Sequence, residues 1–201
     1  MNQGRPRDTD ITERVLELAR AQLLDGGLAA LNYDALAVGA GTSRTAIYRR
    51  WPNRTDLARD VVEASTLPWV RPETGSVVED LVQHSMQNVL NQQMVLRGRD
   101  ASSLWLTILS PEILDHFMER IGRRRRDLGR EIIAAGISRE ELPADTDEEL
   151  LLDTLAGLAL FRSVVARRPA AEHEIRTVVR SLCETPPRRG AAHPDGPATT
   201  T

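Results

Sequence analysis

Apolar residues in this chain recur three and four positions apart along nearly its whole length. No stretch sustains the apolar–polar alternation of a half-buried strand. Such spacing gathers apolar side chains on one face of a helix, so the chain is predicted to be all-α, helices packed on helices. The capping residues agree with this. Asp10 with Glu13 reads as a capping box ahead of Ile11, Val15, Leu18, Ala19 and Leu23, and Gly26-Gly27 ends that run. Asn32 caps a second helix over 33–40, with Leu36 and Ala37 inward. Gly41 turns the chain, Ser43 caps a third helix to Arg50, Pro52 stops it, and Asn53 caps a fourth over 54–65.

The segment 67–75, with Pro68, Pro72 and Gly75, reads as a connection between two units. Beyond it the spacing predicts helices over 76–96, 101–109, 110–135, 146–167 and 170–184. Pro111 opens its helix, and Thr146 with Glu149 reads as a second capping box. From Thr185 the chain is rich in Pro, Gly and Thr, a composition that predicts disorder over 185–201. The division expected is therefore 1–66, 67–184 and a tail. No apolar run approaches the roughly 18 residues of a membrane span, and the first ten residues hold no apolar signal core. The single Cys183 fits a reducing compartment. The expectation is a cytoplasmic protein with no membrane contact.

Charge is placed unevenly. Every one of the 26 basic residues is Arg, which GC-rich coding explains most simply. The chain is net −3, yet residues 35–55 hold four Arg and no acid. An acidic chain with one basic window carries a directed positive patch and is not a general polyanion binder. That window contains two short helices joined by a Gly turn, a helix-turn-helix in length and chemistry. Leu36, Ala37, Ala40 and Ile47 supply its inner contacts. The second helix presents Arg44, Thr45, Tyr48 and Arg49 outward, with free amides at its N-terminus for phosphate. Arg44 and Thr45 are positioned for base edges, Tyr48 and Arg54 for backbone.

The run 41–57, Gly-Thr-Ser-Arg-Thr-Ala-Ile-Tyr-Arg-Arg-Trp-Pro-Asn-Arg-Thr-Asp-Leu, resembles the DNA-binding segment of TetR/AcrR-family transcriptional regulators. The likeness extends back through residues 14–19 and Gly27, covering roughly 10–66. It implies phosphate contacts from Tyr48 and Arg54, the latter in place of the usual Lys, and DNA reading by Thr42, Ser43, Arg44, Thr45 and Arg49. Asn32 stands where a capping Thr often touches backbone. Thr42, Ala46 and Gly39 depart from the pattern, and Gly39 costs a helix interior about 1 kcal/mol relative to Ala. Trp51 and Tyr33 read as packing residues. Arg50 reads as solvated or paired with Asp56 as readily as on DNA, and Arg5 and Arg7 as a solvated terminus or a minor-groove arm.

The second half resembles the family only in layout. Leu151, Leu155, Leu158 and Phe161, with Ile175, Val178, Val179 and Leu182 on the last helix, give more apolar surface than one subunit's core needs. They are the expected homodimer interface, a four-helix arrangement about a two-fold axis. Trp69, Met86, Leu90, Met94, Trp105, Leu109, Phe117 and Ile121 are the expected lining of a pocket for a small, mostly apolar effector.

The run Arg123–Arg126 sweeps round a helix and reads as solvated or paired with Glu119, Asp127 and Glu131. His116 with Glu119 and His84 with Asp80 have spacings a metal could use, but no cluster supports a metal site. Catalytic and cofactor signatures are not present, so no cofactor and no enzyme activity are expected. The reading is a sequence-specific, ligand-responsive repressor acting as a homodimer on a palindromic duplex operator. The rivals are an all-helical carrier or enzyme with a vestigial helix-turn-helix, and an architectural DNA binder.

Overall fold

The computed structural model describes residues 8–95 and 106–190. The fold is all-helical, with an N-terminal helix-turn-helix and a C-terminal helical domain. Among the described residues the one β-type contact is an isolated bridge between Thr146 and Arg188. The N-terminal part comprises α1 (Asp8–Ala30), α2 (Tyr33–Ala40), α3 (Arg44–Arg50) and α4 (Arg54–Ala64). Then follow α5 (Val77–Val95), α6 (Pro111–Phe117), a π turn (Met118–Gly122) and α7 (Arg123–Ser138). The chain ends with α8 (Glu148–Leu160), a second π turn (Phe161–Val165) and α9 (Glu172–Glu184).

Three caps form as the sequence predicts. Asn32 accepts from the amides of Asp34 and Ala35, Ser43 from Ala46, and Asn53 from Asp56. Two others differ. Helix α1 is already under way at Asp8, so Asp10 lies inside it. Helix α8 is capped one residue later than predicted, by Asp147 accepting from Leu150, because the Thr146 hydroxyl donates to the Pro143 carbonyl instead. The Gly26-Gly27 stop appears as a break within α1: Gly27 adopts φ 64°, ψ −158°, a conformation glycine alone adopts readily. Gly39 has a packing reason, since a Cβ there would lie 2.8 Å from a Leu18 methyl.

Two apolar cores result. Val15, Leu23, Leu31, Leu36, Ile47, Leu57 and Val61 build the first, where α1 packs on α2 and α4. Ile108, Ile113 and Ile121 come from beyond the connection and pack into that same core. The second core joins α5, α7, α8 and α9 through Leu81, Val89, Ile132, Ile133, Leu151, Leu155, Ile175 and Val179. Each such buried aliphatic side chain contributes about 1.5–3 kcal/mol. The tail expected from residue 185 is laid back along the fold as far as 190. The Asp147 amide donates to the Pro187 carbonyl and the Arg189 amide to that of Asp145. Residues 191–201 lie outside the described residues, as do 101–105 of the helix expected over 101–109 and the arm with Arg5 and Arg7. Among the described residues no helix is long and apolar enough to cross a membrane.

Candidate nucleic-acid interface and cavity

The turn between α2 and α3 is set by Gly41, in the left-handed region at φ 67°, ψ 37°, with its amide and that of Thr42 bonded back to the last carbonyls of α2. Of α3 itself only Ile47 is buried, so Arg44, Thr45, Tyr48 and Arg49 face outward. Tyr33 holds the assembly from beneath. Its hydroxyl lies 2.7 Å from the Asn53 carbonyl and 3.1 Å from that of Trp51, and its ring packs on Tyr48 at 4.6 Å. Burial, then the neighbouring Tyr48 and Asp56, push its pKa up to about 12, so it remains a donor. Trp51 is buried and its indole N–H donates to Asp60 of α4 at 2.8 Å.

Arg44 lies across this surface. Its guanidinium sits 3.0 Å from both oxygens of Asp34, 3.3 Å from the Tyr48 hydroxyl and 5.2 Å above that ring. A groove of about 610 Å³ runs beneath it and brings together Asn32, Asp34, Arg44, Tyr48, Asn53 and Arg54. A second depression takes in Thr42, Arg49 and Arg50. Arg49 and Arg54 form no ion pair among the described residues. Arg50 neither stays in solvent nor meets Asp56: it donates to the Thr12 hydroxyl at 2.7 Å and lies 5.1 Å over Trp51.

A cavity of about 190 Å³ lies in the C-terminal part. It is enclosed by α5, α6, the first π turn, α7, α8 and Trp69. Its wall is largely apolar, yet Asn91, Gln92 and Arg125 stand on it. Helix α6, which forms one side, is also clamped to α4: Arg59 donates twice to the Glu112 carbonyl, and Arg120 meets Glu63 at 3.0 Å.

Residues 15–61 match the family description "Bacterial regulatory proteins, tetR family", and residues 71–182 match "Tetracyclin repressor-like, C-terminal domain". The chain belongs to the TetR family. It is similar to the uncharacterized HTH-type transcriptional regulator YdeS of Bacillus subtilis, 26% identical over 181 residues that cover 88% of this chain and 89% of that protein. Its fold is like that of a TetR transcriptional regulator from Agrobacterium tumefaciens (TM-score 0.62, 20% identity, 87% and 92% coverage). It is also like that of MexZ, described as a key repressor responsible for antibiotic resistance in Pseudomonas aeruginosa (TM-score 0.59, 18% identity, 87% and 96% coverage).

This TetR-family regulator is a DNA-binding protein by kinship, and its eight expected DNA residues, Asn32, Thr42, Ser43, Arg44, Thr45, Tyr48, Arg49 and Arg54, all lie on the surface formed by α3 and the segments flanking it. Asp34, absent from the expectation, is its acidic member. The pocket expectation divides. Trp69, Leu109, Phe117 and Ile121 line the cavity. Met86 packs into the second core, Leu90 is 47% exposed, and Met94 sits at the end of α5 with its carbonyl accepting from Arg20. Trp105 lies outside the described residues. Asn91, Gln92 and Arg125 were missed because amides and a guanidinium give no apolar signal.

The expected dimer residues are corrected more sharply. Leu151, Leu155, Ile175 and Val179 are sealed in the regulator's own second core, against which Leu158, Val178 and Leu182 also pack. Phe161 alone of the eight is exposed, at 56%. The apolar residues that α8 and its π turn leave outward are Leu150, Leu160, Phe161 and Val165, with open space at Gly157. The arginine run also differs. Arg126 pairs across to Glu149 and Asp153 of α8, and Arg130 to Glu149 as well as Asp127. His84 has no partner on either ring nitrogen, and Asp80 accepts from Thr74, so the two do not act as a pair.

Proposed function

We propose that this regulator is a ligand-responsive repressor that binds a palindromic operator as a homodimer in the cytoplasm. Residues 1–66 act as the DNA-reading head and 67–184 as the effector-binding and dimerisation unit. The observation that carries the reading is the outward face of α3, where Arg44, Thr45, Tyr48 and Arg49 stand clear of the core beside the capped N-termini of α2 and α4. Arg44 and Thr45 read base edges, while Asn32, Thr42, Ser43, Tyr48, Arg49 and Arg54 hold backbone. In the free protein Asp34 holds Arg44, and phosphate or guanine replaces that carboxylate on binding.

Two copies are required for two recognition helices to enter successive major grooves about 34–36 Å apart. The exposed apolar residues of α8 and its π turn are the surface for that pairing. A small, mostly apolar effector occupies the cavity, and its signal reaches the head through α6, which touches both. Coupling of about 1–3 kcal/mol changes operator affinity about 5–150-fold. The repressor description of MexZ supports the sign of the effect.

Selection of bound fragments from genomic DNA gives the operator and its symmetry. On that operator, Arg54→Ala weakens binding to every sequence and flattens the salt slope by about 0.9. Tyr48→Phe weakens it without changing sequence preference, and Arg44→Ala relaxes the preference itself. Unchanged affinity and footprint in all three variants would refute this interface.

A further inference from the structure

Arg125 is the one member of the arginine run that turns inward. It stands on the cavity wall beside Phe117, Ile121 and Ala156. Among the described residues it makes no hydrogen bond and no ion pair. Its neighbour Arg126 takes both nearby carboxylates, Glu149 and Asp153, so Asp153 acts on Arg125 only from a distance. Burial, then the Arg126 charge, lower the Arg125 pKa, but a guanidinium stays protonated at neutral pH all the same. Close by, His84 packs on Trp69 at 5.8 Å, and its pKa is lowered to about 4 by burial and then by Arg125, so no second cation competes there.

Two further donors on this wall are unsatisfied. The Trp69 indole N–H has no partner, and Asn91 has a free side-chain NH₂ while its oxygen accepts from Leu67. Gln92 leaves its Oε1 unpaired, an acceptor open to a ligand hydroxyl. Buried polar groups in folded proteins are nearly always paired, and an uncompensated buried charge is costlier still. A cavity lined by apolar groups, one cation and two idle donors is complementary to an anion with an apolar body.

We infer that the effector is a small carboxylate whose head pairs with Arg125 and whose ring or short chain lies against Phe117, Ile121 and Leu160. This rests on the reading of the cavity as the effector site. The volume suits the class: about 190 Å³ exceeds the roughly 150 Å³ cavity that admits benzene by little more than a carboxylate group. Arg and carboxylate pair through two parallel hydrogen bonds, which gives orientation as well as strength.

Calorimetry on the full chain with phenylacetate and octanoate, each against its neutral amide, tests the inference. The acids are expected to bind at least about tenfold more tightly than the amides, as charge-assisted pairing implies. In Arg125→Met that preference disappears, amide binding persists, and the ligand-free protein melts at higher temperature because an unpaired buried charge is gone. Arg125→Gln gives the same loss of preference should the methionine variant fold poorly. Equal binding of acids and amides to the unaltered protein, a preference that survives at position 125, or a lower melting temperature in Arg125→Met would overturn the carboxylate inference and leave the effector cavity standing. Failure of every probe to bind would overturn both.

Discussion

Replacing Gly41 by alanine isolates the backbone of the turn that aims α3. The residue sits at φ 67°, ψ 37°, and a Cβ built there meets nothing within 4 Å. No clash contributes, so the whole effect is the conformational cost of a side chain in the left-handed region, about 1–2 kcal/mol. Alanine also narrows the unfolded ensemble, which returns about 0.4–1 kcal/mol. The net loss expected is roughly 1 kcal/mol, or about 2–4 °C in melting temperature for a chain of this size. Asparagine has a Cβ too but tolerates this region, so Gly41→Asn should stay within about 0.5 kcal/mol of the unaltered protein. Denaturant titration of the three proteins, with anisotropy binding to an operator fragment, reads both stability and the set of α3. Equal losses in the alanine and asparagine variants, or none in either, would refute the argument.

Asp34→Asn removes the carboxylate that holds Arg44 and should raise DNA affinity about two- to tenfold at low salt, with the gain shrinking as salt screens it; a well-folded variant that binds no better would count against the parked-arginine picture. His84 has a folded pKa of about 4 against about 6.5 when unfolded, so the unfolded chain takes up the proton first. Stability should therefore fall by up to a few kcal/mol as pH drops from about 6.5 to 4, and the fall should be absent in His84→Leu; parallel pH profiles for the two proteins would contradict this. Phe161→Glu places a charge on the exposed outer side of the α8 unit and should halve the mass seen by light scattering while sparing the melting temperature; a variant with unchanged mass would move the dimer surface elsewhere.

The helix-turn-helix was legible because its determinants are local. Asn32, Ser43 and Asn53 cap through amides two or three residues away, and Gly41 marks its turn without help from distant chain. The Asp10 and Thr146 caps were misplaced by one or two residues for a related reason: capping residues crowd there, and Pro143 rather than sequence decides which oxygen is free. The dimer face was not legible. A helix apolar on two sides offers no sign of which side its own core claims, and here the core takes Leu151 and Leu155 and leaves Leu150 and Phe161. The cavity was half legible, since apolar spacing finds Phe117 and Ile121. It cannot find Arg125, whose inward turn is a matter of where α7 meets α5 and α8.

Helix α6 has two employers. Ile113 and the following π turn's Ile121 anchor the head's core, while Leu114 and Phe117 face the cavity. Anyone retuning this sensor toward a new compound by randomising that segment would damage promoter grip along with selectivity. Substitutions at Asn88 of α5 or Ala156 of α8 touch the cavity alone, which makes those two positions the safer handles for redesign.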